Sequence, residues 1–363
     1  MRHTVILAGG GTGGHVYPAL AMGDALRARG HDVRYYGDAA RLEGRVAPER
    51  GYSFRGVPAA QFPRSGLAAK LTFARRLLAN VAAARRLLRA DGATLVLGVG
   101  GYVMAPTVLA AWTLGIPTAI HESNVTPGLA NRLCARVSKL VLLTYDQTRR
   151  HLSATADSVT VGCPVNPLIS SGDATKYGLP PGKPVLLVVG GSLGAATIND
   201  VAVACAADPH RRYAILHLTG PRYYDELSAR YAALPAGLPP DVVVRAYEDR
   251  MGDAFAAASL VLARAGSSTL AELCAVGLPS VLIPSPNVTD NHQEGNARGL
   301  ELAGAARVYV ERDLDAQSIA TDTRNLLDDQ PALTAMGVAA RSLARAGVAD
   351  EVAALLLARF PPT

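Results

Sequence analysis

Aromatic residues are scarce in this chain, 5% of 363 positions with a single tryptophan, and no basic stretch is interleaved with rings. Single-stranded nucleic acid is usually held by rings and cations together. The net charge of +6 is therefore read as favouring a small or lipid-borne anion, not nucleic acid. Cys134, Cys163, Cys205 and Cys274 form no CxxC pair, which argues against a structural zinc and a disulfide scaffold and fits a reducing compartment. Charged residues make up only 18% against 49% hydrophobic ones, a balance that excludes a disordered chain. The length suits two domains, each able to bury its own core. No signal peptide is expected, because Met1-Arg2-His3-Thr4 runs directly into a strand pattern. Charge is also absent from Gly92 to Ile120, a length that could span a bilayer. Gly98, Gly100-Gly101, Pro106 and Gly115-Ile116-Pro117 cut it into a strand, a helix and a strand, which argues against a span.

Two glycine-rich loops stand out. Val5-Ile6-Leu7-Ala8-Gly9-Gly10-Gly11-Thr12-Gly13-Gly14-His15 opens the first half, and Val185-Leu186-Leu187-Val188-Val189-Gly190-Gly191-Ser192-Leu193-Gly194-Ala195 opens the second. In each, a β-branched apolar run ends in glycines and enters a helix-forming stretch. That is how a parallel strand offers backbone N–H groups and a helix N-terminus to a phosphate.

Strand and helix patterns alternate throughout. Strands are expected at Thr4–Ala8, Asp32–Tyr36, Thr94–Val99, Thr118–Ile120, Leu140–Leu143 and Ser158–Val161. The second half repeats the theme at Val185–Val189, Tyr213–Leu218, Val242–Ala246, Leu260–Ala263, Ser280–Ile283 and Ala306–Val310. Helices are expected between them, for example at Ala19–Arg29, Val125–Ala135, Ala195–Ala206 and Ser268–Val276. This is the α/β signature of two doubly wound, Rossmann-like parallel-sheet domains with a cleft between them. The boundary is expected within Gly162–Pro184, giving domains 1–163 and 164–344. A final helix near Asp350–Arg359, within about 345–363, is expected to pack back on the first domain.

Between Leu67 and Arg89, Leu67, Leu71, Ala74, Leu78 and Val81 recur at helical spacing beside Lys70, Arg75, Arg76, Arg85, Arg86 and Arg89. Such a helix can lie on anionic headgroups, or can be an ordinary solvated helix whose apolar stripe packs on the sheet.

Six motifs occur in order from about Thr4 to Ala297. They are Gly10-Gly11-Thr12-Gly13-Gly14-His15, Gly98-Val99-Gly100-Gly101-Tyr102, His121-Glu122-Ser123-Asn124 with Asn131, Gly190-Gly191-Ser192, Arg264-Ala265-Gly266-Ser267-Ser268-Thr269-Leu270-Ala271-Glu272, and Asp290-Asn291-His292-Gln293-Glu294-Gly295-Asn296-Ala297. Together they closely resemble the MurG family of bacterial glycosyltransferases. The resemblance implies a GT-B fold, with acceptor on the first domain and nucleotide sugar on the second. It also implies an inverting transfer of GlcNAc from UDP-GlcNAc to the C4 hydroxyl of lipid I, the undecaprenyl-pyrophosphoryl-MurNAc-pentapeptide, to form lipid II of peptidoglycan. The expected setting is peripheral, on the cytoplasmic face of the cell membrane, among proteins of wall synthesis and division. That setting gives weight to the basic stretch and to Trp112 as a membrane patch.

By the same resemblance Gly11, Tyr102 and Asn131 touch the acceptor. Thr12, Gly13, Gly14, Asn124, Asn166, Ser192, Tyr247, Glu248, Arg264, Ser268, Thr269, Glu272, His292, Gln293 and Asn296 are assigned to the donor. The residue chemistry leaves several choices open. Ser268 or Thr269 with Glu272 is either a capping box or a set of phosphate and ribose ligands. Arg264 offsets diphosphate charge or pairs with an acid of the fold. His15, at a helix start that favours neutral imidazole, is a base or only a hydrogen-bonding group, and Glu122 is its rival or its orienting partner. Three positions depart from the family pattern: Leu193 and Asn166 replace a glutamine and an arginine, and His292 stands where a glutamine is usual. No cofactor or catalytic metal is expected. Asp313-Leu314-Asp315 formally matches a metal-binding DxD but reads better as a helix start, and helix N-termini can steady a leaving diphosphate.

Three other readings compete. A UDP-GlcNAc 2-epimerase shares the plan and the donor, and a non-catalytic UDP-sugar scaffold would tolerate the departures. A dehydrogenase would use Gly9-x-Gly11-x-x-Gly14 with Asp38 on the ribose.

Overall fold

The computed structural model describes residues 2–59, 66–153, 156–235, 237–288 and 291–362, with the side chains of Leu67 and Asp313 outside that description. The chain divides into two units, Met1–Asn166 with Gly347–Thr363 and Pro167–Ala346. The division lies in the Pro- and Gly-rich stretch between the two glycine loops.

The first unit is built on a seven-stranded parallel sheet of order β3-β2-β1-β4-β5-β6-β7. Its strands are β1 (Thr4–Ala8), β2 (Asp32–Gly37), β3 (Ser53–Gly56), β4 (Leu95–Gly98), β5 (Thr118–Glu122), β6 (Leu140–Leu143) and β7 (Ser158–Thr160). Successive residues of β1 point to opposite faces and both faces are covered. Val5 and Leu7 pack under α1 (Gly13–Ala28) and α13 (Val348–Arg359). Ile6 and Ala8 pack under α3 (Leu67–Ala90) and α4 (Ala105–Thr113). The charge-free stretch is thus β4, a short 3-10 turn, α4 and β5, and among the described residues no helix is long and apolar enough to cross a membrane.

The strand β3 was not expected. Its Ser-Phe-Arg-Gly sequence has one apolar residue, and it sits at the sheet edge where a short polar strand is favoured. The helix α2 (Leu42–Glu49) before it was also unforeseen.

The second unit carries a six-stranded parallel sheet of order β10-β9-β8-β11-β12-β13. These are β8 (Val185–Val189), β9 (Ala214–Leu218), β10 (Val242–Arg245), β11 (Leu260–Ala263), β12 (Ser280–Leu282) and β13 (Ala306–Val308). Leu186 and Val188 pack with Ile198 and Val201 of α6 (Ala196–Ala207) and Ile319 of α11 (Ala316–Asp328). Helix α9 (Ser267–Val276) follows β11, and α10 (His292–Leu302) follows β12.

Each sheet reverses direction of winding at one place, between β1 and β4 in the first and between β8 and β11 in the second. Register is what matters there. Ala8 pairs with Gly98, and Val189 pairs with Ala263, so the two loops at each reversal leave the sheet at one level. Such switch points at the carboxyl ends of strands are where open α/β sheets bind ligands.

The terminal helix α13 returns to the first unit, burying Val352, Ala353 and Leu356 in the core that holds α1. Arg29 pairs with Asp350 at 2.6 Å, and His3 Nε2 lies 2.7 Å from the Phe360 carbonyl. Replacement of the fully buried Leu356 by Ala is expected to cost the first unit about 2–5 kcal/mol in urea unfolding.

Candidate functional site

In the first unit, β1 runs through Gly9–Thr12 into α1, and His15 is the third residue of that helix. Thr12 is the N-cap with an extended backbone, and its carbonyl accepts from the N–H groups of His15 and Val16 at 3.1 Å each. Its hydroxyl makes no capping bond, and the residue is exposed. The neighbouring strand β4 ends level with β1 and passes through Val99-Gly100-Gly101 into the turn Tyr102–Met104. A Cβ placed on Gly100, where φ is +100°, would lie 2.6 Å from His15 Nδ1. One placed on Gly101 would overlap the Gly10 carbonyl. The two motifs are therefore one surface: the His15 ring rests on backbone that only glycine can supply.

Glu122 ends β5, next in the sheet. It is 2% exposed, and its Oε1 accepts from Asn124 N at 2.8 Å and Asn124 Nδ2 at 3.2 Å. Its Oε2 has no hydrogen-bond partner among the described residues. Burial pushes the carboxyl up to about 7 against the pull of the Asn124 donors. The adjacent His121 is fully buried and bonded through Nε2 to the Gly162 carbonyl at 2.9 Å; burial holds it at about 4, a neutral structural ring. Asn131, assigned to the acceptor, is buried on α5 (Leu129–Ala135), where its Nδ2 donates to the His121 carbonyl at 3.2 Å. Its amide N–H is thus used in the fold. The half-buried Tyr102 lies in the β4 loop and Gly11 in the β1 loop.

In the second unit, β8 leads through Gly190–Ala195 into α6, and β11 leads through Arg264–Gly266 into α9. Helix α9 starts at Ser267, with Gly266 as N-cap and no side-chain capping bond. The capping box that Ser268 or Thr269 could form with Glu272 is therefore not made. Ser268, Thr269 and Glu272 are half-buried, and Glu272 follows Ser268 by four residues and Thr269 by three, which places all three near one helix face. No donor reaches the Glu272 carboxyl among the described residues, and burial pushes it up to about 7. Ser192 is half-buried in the β8 loop, and Leu193 beside it is 71% exposed.

Other assigned residues are used within the fold. Arg264 takes the second of its two readings, pairing with Glu311 at 2.5 Å and donating to the Ile283 carbonyl at 3.0 Å. The Glu248 carboxylate is bound by Lys176 at 2.8 and 2.9 Å and by the Tyr177 hydroxyl at 2.8 Å. Burial opposes its ionisation, but these donors, with Arg250 N, hold it below the usual carboxylate range. On α10, Gln293 Oε1 accepts from Ser285 N at 2.9 Å, and the buried Asn296 donates to the Ala265 carbonyl at 3.5 Å. His292 and Asn166 are half-buried, and Asp290 of the same motif lies outside the described residues. Asp315 caps α11, accepting from Gln317 N at 3.2 Å and Ser318 N at 3.1 Å, so this half of the DxD match is structural.

The basic helix α3 divides in two. Val81, Ala84, Leu87 and Leu88 pack into the core, whereas Leu71 and Leu78 are 58% and 71% exposed. Of the stripe expected from helical spacing, Val81 is packed, Leu71, Ala74 and Leu78 are exposed, and the side chain of Leu67 lies outside the described residues. Lys70, Arg75, Arg76 and Arg86 are exposed, and Trp112 on α4 is 55% exposed. Arg85 differs: it donates to Thr113 Oγ1 at 2.5 Å and joins α3 to the end of α4. Three partners escaped the sequence pattern, namely Glu311, Lys176 and the fully buried Glu43. Glu43 receives the Gly11 N–H at 2.9 Å. Each lies far in sequence from the group it meets, so nothing local marks it.

Comparison with known proteins agrees with this geometry. Residues 5–143 match the glycosyltransferase family 28 N-terminal domain, and residues 185–352 match the C-terminal domain of the same family. The chain is 40% identical over 358 residues to an Acidithiobacillus ferrooxidans protein, covering 98% of this chain and 97% of that one. That relative is named UDP-N-acetylglucosamine–N-acetylmuramyl-(pentapeptide) pyrophosphoryl-undecaprenol N-acetylglucosamine transferase. The solved structure of MurG from Acinetobacter baumannii superposes with a TM-score of 0.75 at 28% identity, covering 98% of this chain and all of that one. A Listeria monocytogenes structure described as a putative UDP-N-acetylglucosamine 2-epimerase reaches a TM-score of 0.71 at 12% identity, covering 100% and 98%, and shares the fold alone.

The Glu122 environment has a pH signature. A carboxyl raised in the folded state favours folding fully below its ordinary 4.5, and that contribution is lost as pH rises through about 7. Unfolding of the first unit by urea, measured between pH 4 and pH 8, is expected to show this decline, and Glu122→Gln is expected to flatten it.

Proposed function

The chain belongs to glycosyltransferase family 28, and from that membership we infer that it transfers GlcNAc from UDP-GlcNAc to lipid I, giving lipid II for peptidoglycan. The observation that carries the donor assignment is the start of α9. Two hydroxyls and a carboxyl share one helix face there, and the fold makes no capping box of them. Together they match a pyrophosphate and the two hydroxyls of a ribose.

The C4 hydroxyl of the muramyl sugar attacks C1 of GlcNAc. The bond from C1 to the UDP oxygen breaks, with its electron pair leaving on the diphosphate. A single displacement of this kind inverts the anomeric centre. The attacking hydroxyl's proton passes to a base of the first unit. His15 is the candidate, held on the Gly100 backbone at a helix start that favours neutral imidazole. Glu122, with a carboxyl near neutrality in its titration, orients or replaces it. The departing diphosphate is steadied by the second unit, through the N-termini of α6 and α9 and the hydroxyls of Ser192 and Thr269. Helix ends and hydroxyls suffice for this charge, so UDP-GlcNAc enters as substrate and the reaction as proposed uses neither cofactor nor metal.

A lipid-borne acceptor requires membrane access. Lys70, Arg75, Arg76 and Arg86, with exposed Leu71, Leu78 and Trp112, supply charge and apolar surface for peripheral contact with anionic lipid. The face is the cytoplasmic one, where wall-synthesis and division proteins also assemble.

With radiolabelled UDP-GlcNAc and a lipid I analogue, His15→Ala is expected to lower kcat by about 10²–10⁴ with little change in the UDP-GlcNAc KM. Glu272→Ala is expected to act chiefly on that KM. Conversion of UDP-GlcNAc alone to UDP-ManNAc would replace this reading with the epimerase. In flotation with anionic vesicles, joint replacement of Arg75, Arg76 and Arg86 by Gln is expected to release the protein. Arg85→Gln should instead lower the melting temperature, because Arg85 joins two helices.

A further inference from the structure

We propose that Glu43 is a positioning residue for the transfer, an internal anion that occupies the first glycine loop and holds it against the loop bearing Gly100 and Gly101. The proposal rests on the transferase reading above for its kinetic consequence, and on the geometry alone for its structural one.

Glu43 lies in the first turn of α2 and is fully buried. Its Oε2 accepts from Gly11 N at 2.9 Å and its Oε1 from Asp38 N at 3.2 Å. Room for this carboxylate exists only because two flanking residues lack a Cβ. One on Gly10 would overlap both carboxylate oxygens, and one on Gly37 would lie 2.6 Å from Glu43 Cγ. The Gly10-Gly11 turn itself has φ values of +154° and +91°. Two amides from separate segments meeting one acidic side chain beside a helix start is the arrangement that holds a phosphate in dinucleotide-binding folds. Here the anion comes from the chain. Gly11's N–H is already satisfied, and one oxygen of Asp38, Oδ1, accepts from Ala40 N at 3.0 Å. Both halves of the fingerprint that suggested a dinucleotide are thus used internally, the second in part.

The consequence reaches the chemistry through one turn of chain. Gly10's carbonyl abuts Gly101, and the same turn enters α1, where His15 rests on Gly100. Release of the Gly11 N–H frees the Gly10-Gly11 turn, and with it the spacing between the two loops. The turn carries His15 directly behind it, so the effect falls chiefly on turnover, with a smaller one on the nucleotide-sugar KM through Thr12, Gly13 and Gly14.

Glu43→Gln keeps the shape but sets an NH2 against one of the two N–H donors. It is expected to lower kcat about tenfold to a hundredfold, with the UDP-GlcNAc KM held within about twofold, and to speed hydrogen exchange at the Gly11 amide. Glu43→Asp is expected to fall between it and wild type. Sodium formate should restore part of the activity of Glu43→Ala, and sodium chloride at equal ionic strength should not. Wild-type kcat in Glu43→Gln, unchanged Gly11 exchange, or equal effects of formate and chloride would overturn the proposal. If Glu43→Ala does not fold, the Gln and Asp variants decide it. An inactive wild type would instead sink the transferase reading, and the Gly11 exchange would still judge the role of Glu43.

Discussion

Register between parallel neighbours is the constraint on which the rest depends. In each sheet the strand that opens the unit pairs in step with the strand across the winding reversal, Ala8 with Gly98 and Val189 with Ala263. A slip of one residue would turn every side chain of those strands to the opposite face, into a core shaped for others. Both faces are buried, so the register is tightly specified, and the loops inherit its accuracy. Gly100 can support His15 because β1 and β4 end together. Ser192 and the α9 start can serve one diphosphate because β8 and β11 do.

Local environment then separates carboxylates that look alike in sequence. Burial raises both Glu122 and Glu272 to about 7, Glu272 with no donor among the described residues and Glu122 in spite of the hydrogen bonds it accepts from Asn124. Glu248 is enclosed too, but Lys176 and Tyr177 supply donors and keep it ionised well into acid. Perturbation by burial without a partner marks a group left for something else, whereas perturbation by a cation marks one already used. On that criterion Glu272 remains a candidate for binding, Glu122 keeps one oxygen without a partner among the described residues, and the Glu248 carboxylate is already used.

Much of this was legible in the chain, and the misses share a cause. Strands buried on both faces are continuous apolar runs, so β1, β4, β8 and β11 could be read directly, as could the loops that follow them. The edge strand β3 could not, because an exposed edge needs no apolar run. Side-chain partners were the harder part. Nothing adjacent to Arg264 announces Glu311, which lies 47 residues on, and nothing near Gly11 announces Glu43, 32 residues on. Both pairings are made by the fold after the strands have assembled. The α3 stripe could not be resolved for a related reason: helical spacing identifies an apolar face, but only the position of α4 decides that Val81 is covered while Leu71 and Leu78 are not.

The likeness to an epimerase structure at a TM-score of 0.71 and 12% identity shows why architecture alone does not name a reaction. Twin sheets with switch-point loops present two anion-seeking helix starts whatever the chemistry. What distinguishes this chain is how each start is filled. In the first, Glu43 takes up the Gly11 N–H in the loop ahead of α1, and that loop seats an imidazole on the Gly100 backbone. In the second, no donor reaches the Glu272 carboxyl and no side chain caps α9 among the described residues, which is what the donor assignment proposed above draws on. A dinucleotide enzyme would need the first start open, and a non-catalytic scaffold would have no use for a histidine held so closely against glycine backbone. That asymmetry is what the transferase reading proposed above uses, with the candidate proton acceptor in the first unit and the candidate donor hydroxyls in the second.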